Sequence, residues 1–467
     1  MKSSDGKNGG IRLRRELSFW NLLIIGVVIV QPTAPMGIFG VVNNTAHGHV
    51  VTAILIAMVA MLFTAISYGK MARIYPSAGS AYTFVGKEIH PFLGYVTGWA
   101  MVMDYILNPL TCVAFSAKIT MNLGTIPFVG ASAQFYCWIV VYALLFTTLN
   151  LRGVRTSARL NQLLCAALTL VVIVYFFNTI RYIVDMPVYP KNFFLVPFYN
   201  ASSFSFSNVF TGTSVAVLTY IGFDAISTMS EEAKNPRRDI LRATVWVCLI
   251  VGALSAAEVY CAQLSWGPAQ FPANQVESAF SLSAQKSGGV FLYQLLNIAL
   301  LVATMGSGMG SQLAAGRMLY GMGNGNALPK KFFGKIDPVK QIPKNNIIFV
   351  GTIALLGAGA LEISSSILNA GAYEIGAQML NFGALLSFMG VNAATFTHYW
   401  LKSNHRKWIN AVLPVLGFIV CLFIWFNLKL PAMVLGGTWL CAGLLYGYIR
   451  TNGFSSSLMT FEIPPEN

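Results

Sequence analysis

Apolar residues in this chain come in blocks of about 20, parted by short polar loops. A block of that length is what an α-helix needs to cross ~30 Å of hydrocarbon at ~1.5 Å per residue. In lipid every backbone N–H and C=O must be satisfied within the protein, so a chain of such blocks folds as a helical bundle. Twelve spans are predicted, at 19–42, 50–70, 91–122, 135–150, 160–184, 207–230, 240–265, 288–315, 346–362, 377–401, 408–427 and 431–450. The expected class is an all-α membrane protein. Charged residues make up only 10%, against about 25% in ordinary soluble domains.

The basic residues decide orientation. Arg12, Arg14, Arg15, Lys70, Arg73, Lys87, Arg152, Arg155, Arg159, Lys234, Arg237, Arg238, Arg317 and the lysines at 330–344 fall on one side of the predicted membrane, together with Lys402, Arg406 and Lys407. Only Arg181, Lys191, Lys286 and Lys429 fall on the other. Both termini are therefore expected in the cytoplasm, with 1–16 a basic tail, 17–450 a single transmembrane domain and 451–467 a second tail. The net charge of +14 is spent on topology, which removes nucleic acid as a partner. No cleavable signal peptide is read at the start, because the first stretch is too long for one and lacks a small-residue cleavage site. The polar loop 71–90 is expected along the cytoplasmic face, and the Pro- and aromatic-rich segment 185–206 as a cap on the outer one.

Two spans carry faults. The first contains GVVIVQPTAPMGIFG, with Pro32, Pro35 and Gly37 near mid-membrane. A proline in a helix interior costs roughly 3 kcal/mol, and a broken helix at this depth survives only where protein or a wet cavity covers it. The sixth contains TYIGFDAISTMSEEAKNP, with Gly222 and Asp224 near its middle. An aspartate there costs roughly 2.5–3.5 kcal/mol and usually has a task. Equivalent faults five spans apart fit an inverted repeat of five plus five, 17–184 and 207–401, with 408–450 appended.

Five stretches in order resemble the amino acid–polyamine–organocation (APC) superfamily of permeases: PMGIFG, YPSAGSAYTFVGKEIHPFLGYVTGW, NLRGVRTSARLNQLL, TYIGFDAISTMSEEAKNP and RMLYGMGNGNALPKKF. FTAISYGKMARIYPSAGSAYTF, Met103-Asp104-Tyr105 and LNFGALLSFMGVNAATFTHYW are most similar to bacterial putrescine-importer-like members. The resemblance implies a LeuT-like fold with broken helices 1 and 6, alternating access and no enzymatic activity. Two positions depart from the pattern. Pro35 replaces a glycine of the first motif, removing one backbone donor for a substrate carboxylate. Asn324-Gly325-Asn326 stands in a loop that is often Arg-Asp-Gly.

The expected substrate site gathers Thr33, Pro35, Met36 and Gly37 of the first fault with Asp104, Tyr105, Tyr220, Gly222, Phe223 and Asp224. Asp224 either faces a cationic substrate or caps the second half-helix by accepting from Ile226 or Ser227. Asp104 and Tyr105 suit an ammonium ligand, by charge and by a π face or hydroxyl; the alternative is a structural bond to a neighbouring helix. Tyr220 or Phe223 covers the substrate, or merely packs. Glu258 is a protonatable coupling group or a neutral structural acid. Glu231 and Glu232 form an ion-pair gate with Arg73 or Arg155, or a solvated helix cap, and Tyr82 joins the gating candidates.

GMGNGN at 321–326 follows a membrane helix without GK[ST], so it is no nucleotide loop. No metal site, cofactor or Ser-His-Asp set is expected, and the seven cysteines are expected in the core. The expected function is import of a small amine or amino acid across the inner membrane, with protons as coupling partner. The alternative is a neutral or cationic amino acid permease or an amino acid/amine exchanger.

Overall fold

The computed structural model describes residues 16–450, apart from 78, 125, 128, 129, 153, 268, 369–371, 404 and 405. Among the described residues twelve helices are long and apolar enough to span a bilayer: Phe19–Thr45, Val50–Ile74, Pro91–Met121, Ser132–Leu151, Cys165–Val184, Phe206–Thr228, Pro236–Trp266, Gln275–Asn324, Lys344–Ser364, Ile375–Lys402, Ile409–Phe426 and Leu430–Arg450. They are numbered spans 1 to 12 below. The eighth begins earlier than its apolar run suggests, because a positive φ of 66° at Gly289 kinks it. The extended part carries an outer limb from Ala279 and, before it, a short 3₁₀ turn, Ala273–Ser278.

Burial sorts the spans. Protein covers 89% of the third, 83% of the sixth and 72% of the first and tenth, but only 22–28% of the fifth, eleventh and twelfth. The faulted helices therefore sit at the centre, where neighbours can satisfy their backbone. Apolar side chains such as Leu144, Leu170, Phe177, Ile419 and Leu445 cover the outside. Span 7 packs along span 2 and against span 1, while span 6 packs on span 2 and the outer half of span 1. Spans 8, 9 and 10 pack on span 3. Two bodies result: a bundle of spans 1, 2, 6 and 7, and a scaffold around spans 3, 4, 8 and 9.

Span 12 is joined to the scaffold by a reciprocal clasp. Trp99 Nε1 donates to the Trp439 carbonyl and Trp439 Nε1 to the Trp99 carbonyl, both at 2.9 Å, with the rings stacked at 5.0 Å. The face carrying Leu17, Arg73, Lys234 and Lys402 is called the basic face below, and the other the opposite face. On the latter, segment 185–206 caps the bundle: the Phe198 carbonyl accepts from Thr52, and the Phe194 carbonyl from Tyr260.

Two expectations need correction. The polar loop on the basic face does not lie on the surface. Its helix Ser80–Glu88 is buried except for Lys87, because Tyr82, Phe84 and Val85 supply enough apolar area to insert it under spans 2, 3 and 10. Nor are all the cysteines core residues: Cys137 and Cys441 are exposed on the outer surface, where lipid would serve a thiol as well as a core does.

Candidate functional site

The first helix stops at Val30 and restarts at Ala34. Gln31 turns the chain with a φ of 69°, outside the comfortable range of a residue with a side chain. Pro35 sits in the first turn of the new half, where a missing N–H breaks no bond. The break exposes carbonyls, and Ser307 of span 8 answers one by donating to Ile29 O at 2.8 Å. The amides expected to hold a carboxylate are partly used. The Met36 N–H goes to Thr33 O at 3.0 Å and the Ala34 N–H to Gln31 O at 3.1 Å. Thr33 and Gly37 are buried alongside, the Thr33 hydroxyl without a hydrogen-bond partner.

Span 6 runs as helix over Phe206–Ala216, tightens to a 3₁₀ turn at Val217–Tyr220, opens, and resumes at Ala225–Thr228. Gly222 makes the opening with a φ of 114°, which only glycine adopts freely. A Cβ there would stand 3.0 Å from Ile29 Cγ2. The two interruptions therefore touch each other. The Asp224 carboxylate holds the turn from within: one oxygen accepts the Gly222 N–H at 3.2 Å and the other the Tyr105 hydroxyl at 2.6 Å. It makes no side-chain cap to the following helix. The capping alternative is thereby corrected: the loop doubles back, so the carboxylate meets the amide two residues before it.

Asp104 of span 3 is fully buried, and neither carboxyl oxygen has a hydrogen-bond partner. It lies within electrostatic reach of Asp224, as do the phenols of Tyr68 and Tyr105. Among the described residues no lysine, arginine or histidine pairs with either acid. Lys118, the one base on the same helix, is committed to Glu277 and Glu362 at 3.5 Å each. A desolvated acid without a counter-charge is costly, and such residues inside a membrane usually have a task.

Toward the basic face the site is shut. Phe223 packs on Tyr68 at 5.8 Å and on Phe388 at 5.1 Å, with Phe84 behind Tyr68 at 6.2 Å. Tyr220 takes no part in this plug, since its hydroxyl donates to Ile54 O of span 2 at 2.9 Å. Below the plug, Ser80 and Ser227 share a hydrogen bond at 2.6 Å. Glu232 and Arg317 form a buried ion pair, Arg317 Nε standing 2.8 Å from one carboxylate oxygen and Nη2 donating at 3.0 Å to the other. The expected partners of Glu232 were Arg73 or Arg155. Arg73 instead donates to Arg237 O at 3.0 Å, and the Arg155 side chain lies outside the described residues. Tyr82 is buried against the Asn324–Asn326 turn: a Cβ on Gly325 would come within 2.5 Å of its Oη. Glu231, half-buried beside Glu232, keeps interactions of its own.

Toward the opposite face the site borders a cavity of ≈ 30 Å³, measured at water centres and large enough for about two waters. Gln31, Asn108, Thr111, Thr304, Ser307 and Ile221 are among its walls, and no charged residue is. Asp104, Asn108, Thr111, Phe115 and Lys118 follow one another at helical spacing along one stripe of span 3, so the stripe runs from the buried acid, past the cavity, to the outer ion pairs. Glu258 of span 7 stands apart from this line. It is fully buried with both carboxyl oxygens unpartnered, beside Tyr175 of span 5, whose hydroxyl donates to the Glu258 carbonyl at 3.0 Å.

A discontinuous pair of helices around a buried acid is transporter architecture, and sequence comparison agrees. The profile described as "Amino acid permease" matches residues 10–454. The chain belongs to the amino acid permease family. The permease is 30% identical over 459 residues to the low-affinity putrescine importer PlaP of Escherichia coli K12, covering 97% of both chains. It is 26% identical to the branched-chain amino acid permease BcaP of Lactococcus lactis, over 91% of this chain and 92% of that one. It is 25% identical to the methylthioribose transporter of Bacillus subtilis, over 92% and 90%. The chain is thus a multi-pass membrane transporter and not an enzyme.

The sequence reading missed Tyr68, Phe388, Ser80, Ser227, Asn108 and Arg317. Only Arg317 left a trace there, as an arginine at the end of a long apolar run.

Proposed function

We propose that the permease imports a short amine of the putrescine kind across the cytoplasmic membrane, by alternating access and with protons as the coupling ion. Asp104 carries this reading: a fully buried acid with no partner, next to a second acid, asks for a cationic cargo. The spent Met36 amide and the missing Pro35 donor weaken the site for an α-carboxylate. The putrescine importer among the relatives supports the same class. The positive-inside rule makes the basic face cytoplasmic. The bundle of spans 1, 2, 6 and 7 then rocks against the scaffold, opening the Phe223 plug and the Glu232–Arg317 pair on one side and the cavity on the other.

Uptake of labelled putrescine into proteoliposomes tests the reading. Putrescine is expected to saturate uptake and neutral amino acids to compete weakly. Strong competition by neutral amino acids, with none by putrescine, overturns the amine. Ligand-induced thermal shifts of the purified protein should rank compounds in the same order, since binding to the native state stabilises it by mass action.

Glu258 is proposed as the proton carrier. It lies at the seam between span 7 of the bundle and span 5, so rocking changes its surroundings. Glu258→Gln keeps the shape and removes the titration. It should cut uptake driven by a pH gradient at least ~10-fold while substrate exchange across the membrane continues. Unchanged gradient dependence would remove the residue from coupling.

A further inference from the structure

Span 3 carries Pro109 inside its helix. Proline has no N–H, so the carbonyl four residues earlier, that of Tyr105, lacks its usual helical partner. The Tyr105 carbonyl lies in the same turn as Asp104 and Asn108. Asn108 lines the cavity together with Thr111, and its side-chain oxygen accepts the Cys112 thiol at 3.2 Å. Thr111 donates its hydroxyl hydrogen to Asn108 O at 2.8 Å, leaving oxygen lone pairs available. On the far wall is Gln31, held in its unusual φ of 69°. The cavity therefore offers several neutral acceptors and no charge, in a space about the size of an ammonium head with its water.

Asp104 and Asn108 are one helical turn apart, ~6 Å along the axis. Extended butane-1,4-diammonium also spans ~6 Å between its nitrogens, from ordinary bond lengths. We infer that span 3 measures the cargo: one ammonium sits on Asp104, and the second is received one turn outward by the Asn108 side chain, Thr111 and the carbonyl freed by Pro109. The inference rests on the amine reading and adds a second subsite to it. Neutral acceptors suit that place. They stabilise a second positive charge by hydrogen bonds yet hold it loosely enough to be released when the cavity opens.

The test is competition against labelled putrescine in proteoliposomes, using diamines of three to six carbons and n-butylamine as the single-headed control. The unmodified protein is expected to prefer four carbons and to favour putrescine over butylamine by about tenfold or more. Asn108→Leu should remove most of that preference, weakening putrescine far more than butylamine. Pro109→Ala restores the N–H that occupies the Tyr105 carbonyl and should act in the same direction. Asn108→Asp should raise the preference for diamines. Equal effects of these variants on putrescine and butylamine, or no optimum in chain length, overturn the subsite while the amine reading stands. Should no amine compete at all, the amine reading itself has failed. The chain-length series on the unmodified protein decides the matter even if a variant does not fold.

Discussion

Asp104→Asn is expected to abolish amine uptake at ordinary substrate concentrations while leaving the protein folded. Asparagine has the size of aspartate and removes only the charge. Taking away one member of a buried charge pair costs roughly 3 kcal/mol or more, which is about a 100-fold loss of apparent affinity. The missing member of this pair is the cargo, so the loss should fall on cations and spare neutral amino acids. Equal loss for both kinds would take Asp104 out of the ammonium role. Asp224→Asn should also abolish transport, for a different reason. The Asp224 carboxylate accepts from Gly222 N–H and from Tyr105 at once, and an amide can accept at only one of its two ends. Tyr105→Phe, which removes one of those bonds without touching charge, is expected to cost about tenfold. Apparent affinity for a series of amines, measured in all three variants, separates holding the cargo from holding the turn.

Breaking the Glu232–Arg317 pair is expected to open the basic face. Both side chains are almost wholly buried, Arg317 6% and Glu232 7% exposed, and removing one leaves the other charged without a partner. That costs roughly 3–5 kcal/mol in the closed state, whereas the open state lets water reach the survivor. Glu232→Ala should therefore shift the equilibrium toward opening by about 100-fold or more. A cysteine placed at Ser227, buried against Ser80 in the closed form, reads the shift as faster labelling by a thiol reagent applied to the basic face. Arg317→Ala should do the same. The double variant, with neither charge to strand, should label at close to the original rate. Unchanged labelling in both single variants would mean that the aromatic plug alone keeps this side shut.

What the sequence disclosed follows from what each residue costs in a bilayer. Proline, glycine and aspartate in the middle of apolar runs are expensive, so both interruptions and Asp104 are legible in the sequence. Aromatics and serines in membrane helices are cheap. Tyr68, Phe388, Ser80 and Ser227 therefore gave no signal, although they close one side of the site. Partner choice was equally hidden. Glu232 was expected to meet Arg73 or Arg155, because Arg317 counted among the loop charges that set topology. It is in fact buried, and pairing is what makes that bearable. The Ser80–Glu88 helix misled for the opposite reason. Its small and polar residues looked solvated, yet it gains burial from three large side chains, Tyr82, Phe84 and Val85.

The two tryptophans that clasp span 12 to span 3 fix more than a helix. Anything attached to span 12 is held to span 3 by that clasp. Cys441, exposed on that span, is thus a natural fixed point for a spectroscopic ruler. A dye there, paired with one on span 7, would record the stroke of the carrier directly, in ångströms per transported molecule.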